Sequence, residues 1–494
     1  MKALLFSMPD IFPTWRPYYN KCPNLGLTSI AGNCPGHEVY VGDLILKRTD
    51  VKEAVIKAIE KYSPKVIGLS AMTFQFPTLT KIAGLIKKNY PSMLIVVGGY
   101  HVTTPYEQVT NEDCSEHYDF MMRGEADLSF NELLNELESG EEFNKIKGLS
   151  YKRNDKWVHN PARPLENLEN IKLPDRDSRI WNGYHVYSIK LDMLETSRGC
   201  LNHCKFCSIR QMYGHSFREY PMSRIIQDIR NAKKRGAKYI TFVDDNITGD
   251  ARGLKRFEEL LDTIIKNKLN DIKYGTQASS IGMGSDERIP EKMREAGFDA
   301  VFLGVENISS KNLEYYKKGN IVDYTKRAIK FLEDNGITVM GGLINGTEDD
   351  KEKDFKVNFE YLIDSKVDNI LAQILTPYPG TELRDELLKK GLVTNKDNWE
   401  SYSGYFANVK TRYLSTDELN FLQWKYSNQY YKWRRSNFWK LNVFKSHARF
   451  IIKTYLFTEA RRRIPLLIRK IAKNEMGKFK VDFEDLVNVN ENLI

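Results

Sequence analysis

Leu191-Asp192-Met193-Leu194-Glu195-Thr196-Ser197-Arg198-Gly199-Cys200-Leu201-Asn202-His203-Cys204-Lys205-Phe206-Cys207 is the stretch on which the reading of this chain turns. Residues 191–196 read as a strand, and the strand runs straight into a loop holding three of the chain's six cysteines. Outward from it, further strands are expected at 239–243, 272–276, 300–304, 338–343 and 370–375. Helical spacing fills the gaps, as in Leu254, Phe257, Leu261 and Ile264, and Gly236 and Gly336 stand where a helix should end. This rhythm predicts a partial (β/α)6 barrel of the TIM type, whose chemistry belongs at the strand C-termini.

The cysteine spacing carries the chemistry. Three thiolates on one loop can each bind one iron of a cubane, and with no fourth cysteine nearby the last iron keeps open positions. An open iron can chelate an amino-acid-like ligand. The competing reading is zinc, with His203 as fourth ligand, but structural zinc sites usually pair two knuckles far apart in sequence, and only one cysteine cluster is present. Cys22, Cys34 and Cys114 are scattered and read as small buried hydrophobes.

Towards the N-terminus the pattern is again strand and helix. Strands are expected at 3–6, 38–43, 66–70 and 93–97, with helices near 51–62 and 78–89. Apolar strands alternating with helices predict a doubly wound, Rossmann-like domain over 1–150, its ligand at the carboxyl ends of the strands. A polar linker is expected over 151–187, the barrel over 188–400, and a helical region over 401–494.

No apolar run is long enough to span a bilayer or serve as a secretion signal, so the expected location is the cytoplasm. Six cysteines in such a chain are no disulfide framework. The net charge of +9 is uneven: residues 421–480 hold 16 Lys or Arg against Glu459 and Glu475, leaving −5 for the rest. In that tail, rings alternate with cations (Tyr430, Tyr431, Lys432, Trp433, Arg434, Arg435), and Arg461-Arg462-Arg463 follows. Three readings stand: peripheral contact with the inner face of an anionic membrane, a packed helical subdomain with a basic surface, and nucleic-acid binding.

At Cys200, Cys204 and Cys207 the chain resembles the radical S-adenosylmethionine (SAM) superfamily, whose hallmark is a cysteine triad with three and then two intervening residues. The resemblance implies a [4Fe–4S] cluster on these metal ligands, with SAM on the open iron. It also implies cofactor contacts from Phe206 to adenine, from Asp244 and Asp245 to the SAM amino group, and from Glu306 to the ribose hydroxyls. The N-terminal part resembles the cobalamin-binding domain of the B12-binding subgroup at Gly68-Leu69-Ser70-Ala71-Met72-Thr73, Gly98-Gly99-Tyr100-His101 and Arg123-Gly124-Glu125. There the resemblance places the nucleotide tail of cobalamin beside Ser70, Thr73, Gly98 and Gly99. One departure is the missing Asp-x-His-x-x-Gly motif after the first strand, where the chain reads Pro9-Asp10-Ile11-Phe12-Pro13-Thr14-Trp15. His101 is left without a ligand role.

Together these readings imply a cobalamin-dependent radical SAM methyltransferase acting on an unactivated carbon of a hydrophobic (lipid, isoprenoid or tetrapyrrole-like) metabolite. A reducing partner such as ferredoxin or flavodoxin is implied. Two alternatives remain: an oxidative cyclase that forms a ring without methyl transfer, and an RNA-modifying enzyme, for which no recognisable RNA-binding domain is present. No side chain is named as catalytic.

Overall fold

A computed structural model describes residues 1–442 apart from 11–19, 141, 187–188 and 438–439. Two sheets organise it. The first contains β1 (Lys2–Ser7), β2 (Glu38–Asp43), β3 (Val66–Ser70), β4 (Leu94–Gly98), β5 (Phe120–Met122), β6 (Leu149–Arg153) and β7 (Lys156–His159). Its order is β2-β1-β3-β4-β5-β6-β7, parallel through β5, with the last two strands antiparallel. This is the 2-1-3-4-5 doubly wound order, whose switch point between β1 and β3 opens a crevice at the carboxyl edge. Alternate side chains serve opposite faces. Leu4, Phe6, Ile67 and Leu69 join helices Val51–Tyr62 and Phe76–Asn89 in one core, and Ala3, Leu5, Val66 and Val96 pack with helix Ser129–Ser139 in another.

The second sheet contains β8 (Ile189–Leu194), β9 (Tyr239–Phe242), β10 (Lys273–Ser279), β11 (Phe298–Glu306), β12 (Thr338–Asn345) and β13 (Asn369–Ile374). These six run parallel in chain order and form an open barrel. Beside β8 the sheet is extended by two antiparallel pieces, His185–Val186 and Asn20–Lys21. Helix Ala251–Lys266 buries Phe257, Leu261 and Ile264 at the expected spacing and is capped by Asp250, which accepts from the Arg252 and Gly253 N–H groups.

One expectation needs correcting. The boundary expected at 150 falls inside β6, because the polar stretch that follows turns at Asn154-Asp155 and pairs back as β7. The segment after β7 is held to the barrel. Arg176 lies fully buried, ion-paired to Asp192 at 2.9 Å and Asp228 at 2.5 Å, which straps the segment to the barrel.

The tail begins as helix Thr416–Ser436, started by a capping box between Ser415 and Glu418. Of its aromatic and basic residues Tyr426, Tyr430 and Arg434 are buried, whereas Phe421, Lys432 and Arg435 are exposed. Tyr430 donates to the Val367 carbonyl at 2.6 Å, Arg434 to the Asp368 carbonyl and Gln423 to the Ala372 carbonyl, so the helix covers the barrel beside β13. This part of the tail therefore packs one face on the barrel, whereas Arg461, Arg462 and Arg463 lie outside the described residues. Among the described residues no helix is long and apolar enough to cross a membrane.

Candidate active site at the facing sheet edges

The cysteine loop leaves β8 and is fixed at both ends. At its start Gly199 adopts φ +91°, and a Cβ there would lie 2.3 Å from the Ser216 carbonyl oxygen, so only glycine fits. The Gly199 N–H donates to Asp245 at 2.9 Å. Further along, the Lys205 N–H donates to the Tyr316 carbonyl at 2.9 Å, and the Lys205 carbonyl accepts from the Leu383 N–H at 3.2 Å. Cys204 is buried, while Cys200 and Cys207 are half-buried. Burial pushes the Cys207 thiol up to about 12 and raises Cys204 as well. Both thiols stay protonated until a metal displaces their protons. Among the described residues no three His, Cys, Asp or Glu side chains are grouped to share a single ion. A cubane, which takes one thiolate per iron, does not require that.

The acids at the neighbouring strand ends divide their work. Asp244, 1% exposed, accepts from the Thr196 N–H and from the Thr196 and Ser197 hydroxyls, the latter two at 2.6 Å. Its carboxylate thus holds the root of the cysteine loop. Asp245 is half-buried, and burial raises it to about 6. Glu306 ends β11 at a bulge with φ +62°, a left-handed conformation uncommon for a residue with a side chain and one that re-aims it. It ion-pairs with Lys318 at 2.8 Å. Phe206 meets the Tyr316 ring edge to face at 5.4 Å.

Across the seam lies the carboxyl edge of the first sheet. Ser70 ends β3 beside Gly98, the last residue of β4, and Thr73 is buried in the loop after β3. Gly99 has φ +99°, and a Cβ there would strike the Ala71 carbonyl oxygen at 2.5 Å. Gly98 and Gly124 are different: a Cβ at Gly98 would meet nothing nearer than 3.7 Å, and one at Gly124 nothing within 4 Å. The edge therefore has room for a ligand close to its backbone. Burial, with the charges of Tyr213, Asp245 and Cys207 adding to it, raises the Tyr100 hydroxyl well above its usual range. His101 instead turns into the core between Phe76 and Trp399, at ring distances of 4.3 and 4.9 Å. Burial lowers it to about 3, which makes it a neutral ring.

Several residues here escaped the sequence reading. Arg198 is ion-paired to Glu125, Asp127 and Glu195 at 2.7–2.9 Å, and Glu125 also takes Arg218 at 2.8 Å. This buried network ties the loop after β5 to the residue two before Cys200. Tyr100 and Glu125 lie within recognised motifs, whereas Tyr213 and Lys318 gave no signal.

A fold of this shape, with a cysteine triad at the mouth of an open barrel facing a doubly wound domain, defines a class. The radical SAM superfamily model matches residues 194–362 and the B12 binding domain model matches residues 16–134. This is a radical SAM enzyme with an N-terminal B12-binding domain. The cofactors of these two domains are a [4Fe–4S] cluster with SAM, and cobalamin. An uncharacterized methyltransferase of Pyrococcus horikoshii is 29% identical over 460 residues, 92% of this chain and 96% of that one. The anaerobic magnesium-protoporphyrin IX monomethyl ester cyclase of Synechocystis is 23% identical over 386 residues, 77% and 76% of the two chains. The bacteriochlorophyllide d C-8(2)-methyltransferase of Chlorobaculum tepidum is 25% identical, covering 70% and 73%. In fold, the chain is similar to the radical SAM methyltransferase TsrM from Kitasatospora setae, with a TM-score of 0.66 and 17% identity over 80% and 79% of the chains.

Proposed function

We propose that this enzyme methylates an unactivated carbon of a hydrophobic, tetrapyrrole-like or lipid-like metabolite, bound between the two sheet edges. The observation that carries the reading is the buried ion pairing of Glu125 and Asp127, in the loop after β5 of the B12-binding domain, with Arg198, which stands two residues before Cys200 of the radical SAM domain. The two cofactor regions thus open onto one space.

Within it Cys200, Cys204 and Cys207 would hold the cluster. Phe206 would offer its ring to the adenine, and Glu306, turned by its bulge, would meet the ribose hydroxyls. Asp245 orients the start of the cysteine loop and would meet the amino group. Ser70, Thr73, Gly98 and Gly99 would receive the nucleotide tail of cobalamin at the switch point. When bound, the cluster with SAM supplies a carbon radical able to take hydrogen from an unactivated C–H bond, and cobalamin supplies the methyl carrier.

The experiment is anaerobic reconstitution with iron, sulfide, cobalamin and SAM carrying a deuterated methyl group, followed by incubation with a reductant and a lipid and pigment extract. Wild type is expected to form 5′-deoxyadenosine and a product three deuteriums heavier, whereas Cys204→Ala forms neither. A changed metabolite without deuterium would favour ring formation, the reading supported by the similarity to the cyclase.

A further inference from the structure

Lys318 is the group in this region that neither the motifs nor the family resemblance assigns. It sits in the turn after helix Ser310–Tyr315, between Lys317 at φ +56° and Gly319 at φ +76°. Two contacts fix that turn against the cysteine loop: the Lys205 N–H donates to the Tyr316 carbonyl, and the Phe206 ring meets the Tyr316 ring. The turn itself is closed by the Lys318 N–H, which donates to the Leu313 carbonyl at 2.9 Å. The side chain is only 14% exposed and ends 2.8 Å from Glu306, itself 12% exposed. Gly304 leaves room for this pair: a Cβ there would stand 2.6 Å from Glu306 Oε1 and 3.4 Å from Lys318 Nζ.

A sheltered cation beside an iron–sulfur cluster has a definite electrostatic consequence. One-electron reduction adds one negative charge to the cluster, and a fixed positive charge nearby stabilises that form more than the oxidised one. Cluster potentials respond to charge and solvent exposure of this kind. Because burial limits screening, the effect is larger than at a surface. Glu306 opposes it by neutralising part of the ammonium's field. We propose that Lys318 is a positioning residue for electron entry, raising the reduction potential of the cluster, and that Glu306 sets how much of its charge the cluster feels.

The inference rests on the cluster assignment above, and the test separates the two. Reconstituted protein without SAM is titrated with a low-potential chemical reductant while the reduced cluster is followed by electron paramagnetic resonance. If wild type holds no cluster, the functional reading itself fails. With the cluster present, Lys318→Met should lower the potential, so that at a fixed ambient potential the ratio of reduced to oxidised cluster falls about threefold or more. Lys318→Arg keeps the charge and should stay near wild type. Glu306→Gln should move the potential upward, and this opposite sign is one that mere loosening of the site would not produce. It also carries the test if Lys318→Met proves unable to retain a cluster. Equal potentials in all four proteins would overturn the proposal. So would an unchanged potential in Lys318→Met combined with weakened SAM binding, which would assign the ammonium to SAM instead.

Discussion

His101 stands fourth in the run Gly98-Gly99-Tyr100-His101, yet its ring lies in the core with both nitrogens unpartnered. Leaving buried polar atoms unpaired costs free energy, and the ring answers by refusing a proton. Its folded-state pKa is lowered from 6.5 to about 3, so the unfolded chain binds a proton below about pH 6.5 that the folded protein does not. Stability is therefore full above that pH and falls as the pH drops towards 3. Between pH 7 and pH 5 the loss attributable to this group is about 2 kcal/mol. His101→Phe keeps the ring and removes the titration, so urea unfolding at the two pH values should show a shallower acid loss in the variant. Identical slopes would mean that water reaches the ring in solution. Asp244 and Asp245 teach a related lesson. Two adjacent acids at a strand end look alike in sequence, but the backbone turns one into a hydrogen-bond cage and leaves the other half-open.

At the scale of elements, the cysteine loop depends on one backbone conformation. Gly199→Ala would need a side chain at φ +91° and a Cβ 2.3 Å from the Ser216 carbonyl oxygen, so the loop must shift. The strain is of the order of 1–3 kcal/mol. We expect the barrel to fold with unchanged circular dichroism and the iron content after reconstitution to fall well below wild type. Full iron loading would show that the loop position tolerates the change. The loop was legible because spacing along the chain is all that a three-thiolate motif requires. The barrel strands were legible for a similar reason, their apolar runs and glycine stops being local. The hairpin of β6 and β7 was not, since Lys152 to His159 is polar enough to pass for linker and is a sheet edge only because β5 is there to pair with.

For the whole molecule, the decisive contact is the network of Glu125 and Asp127 with Arg198 and Arg218. Removing one partner of a buried ion pair costs about 3–5 kcal/mol. Glu125→Ala, which strips the acid shared by both arginines, should therefore weaken the joint between the sheets. Denaturant unfolding should split from one transition into two, with sheet-specific losses on hydrogen exchange, while unfolding that stays single and unshifted would remove the network from this role. By itself the sequence determined the cysteine triad, the two alternating domains and most of the strands, because each is written in short-range spacing and periodicity. Only the tertiary structure decided that Arg198 meets Glu125 and Asp127, that Lys318 reaches Glu306, and that Asp244 binds Thr196 and Ser197. Those pairings join residues far apart in sequence, and their energies arise from burial and relative placement, which no local pattern records.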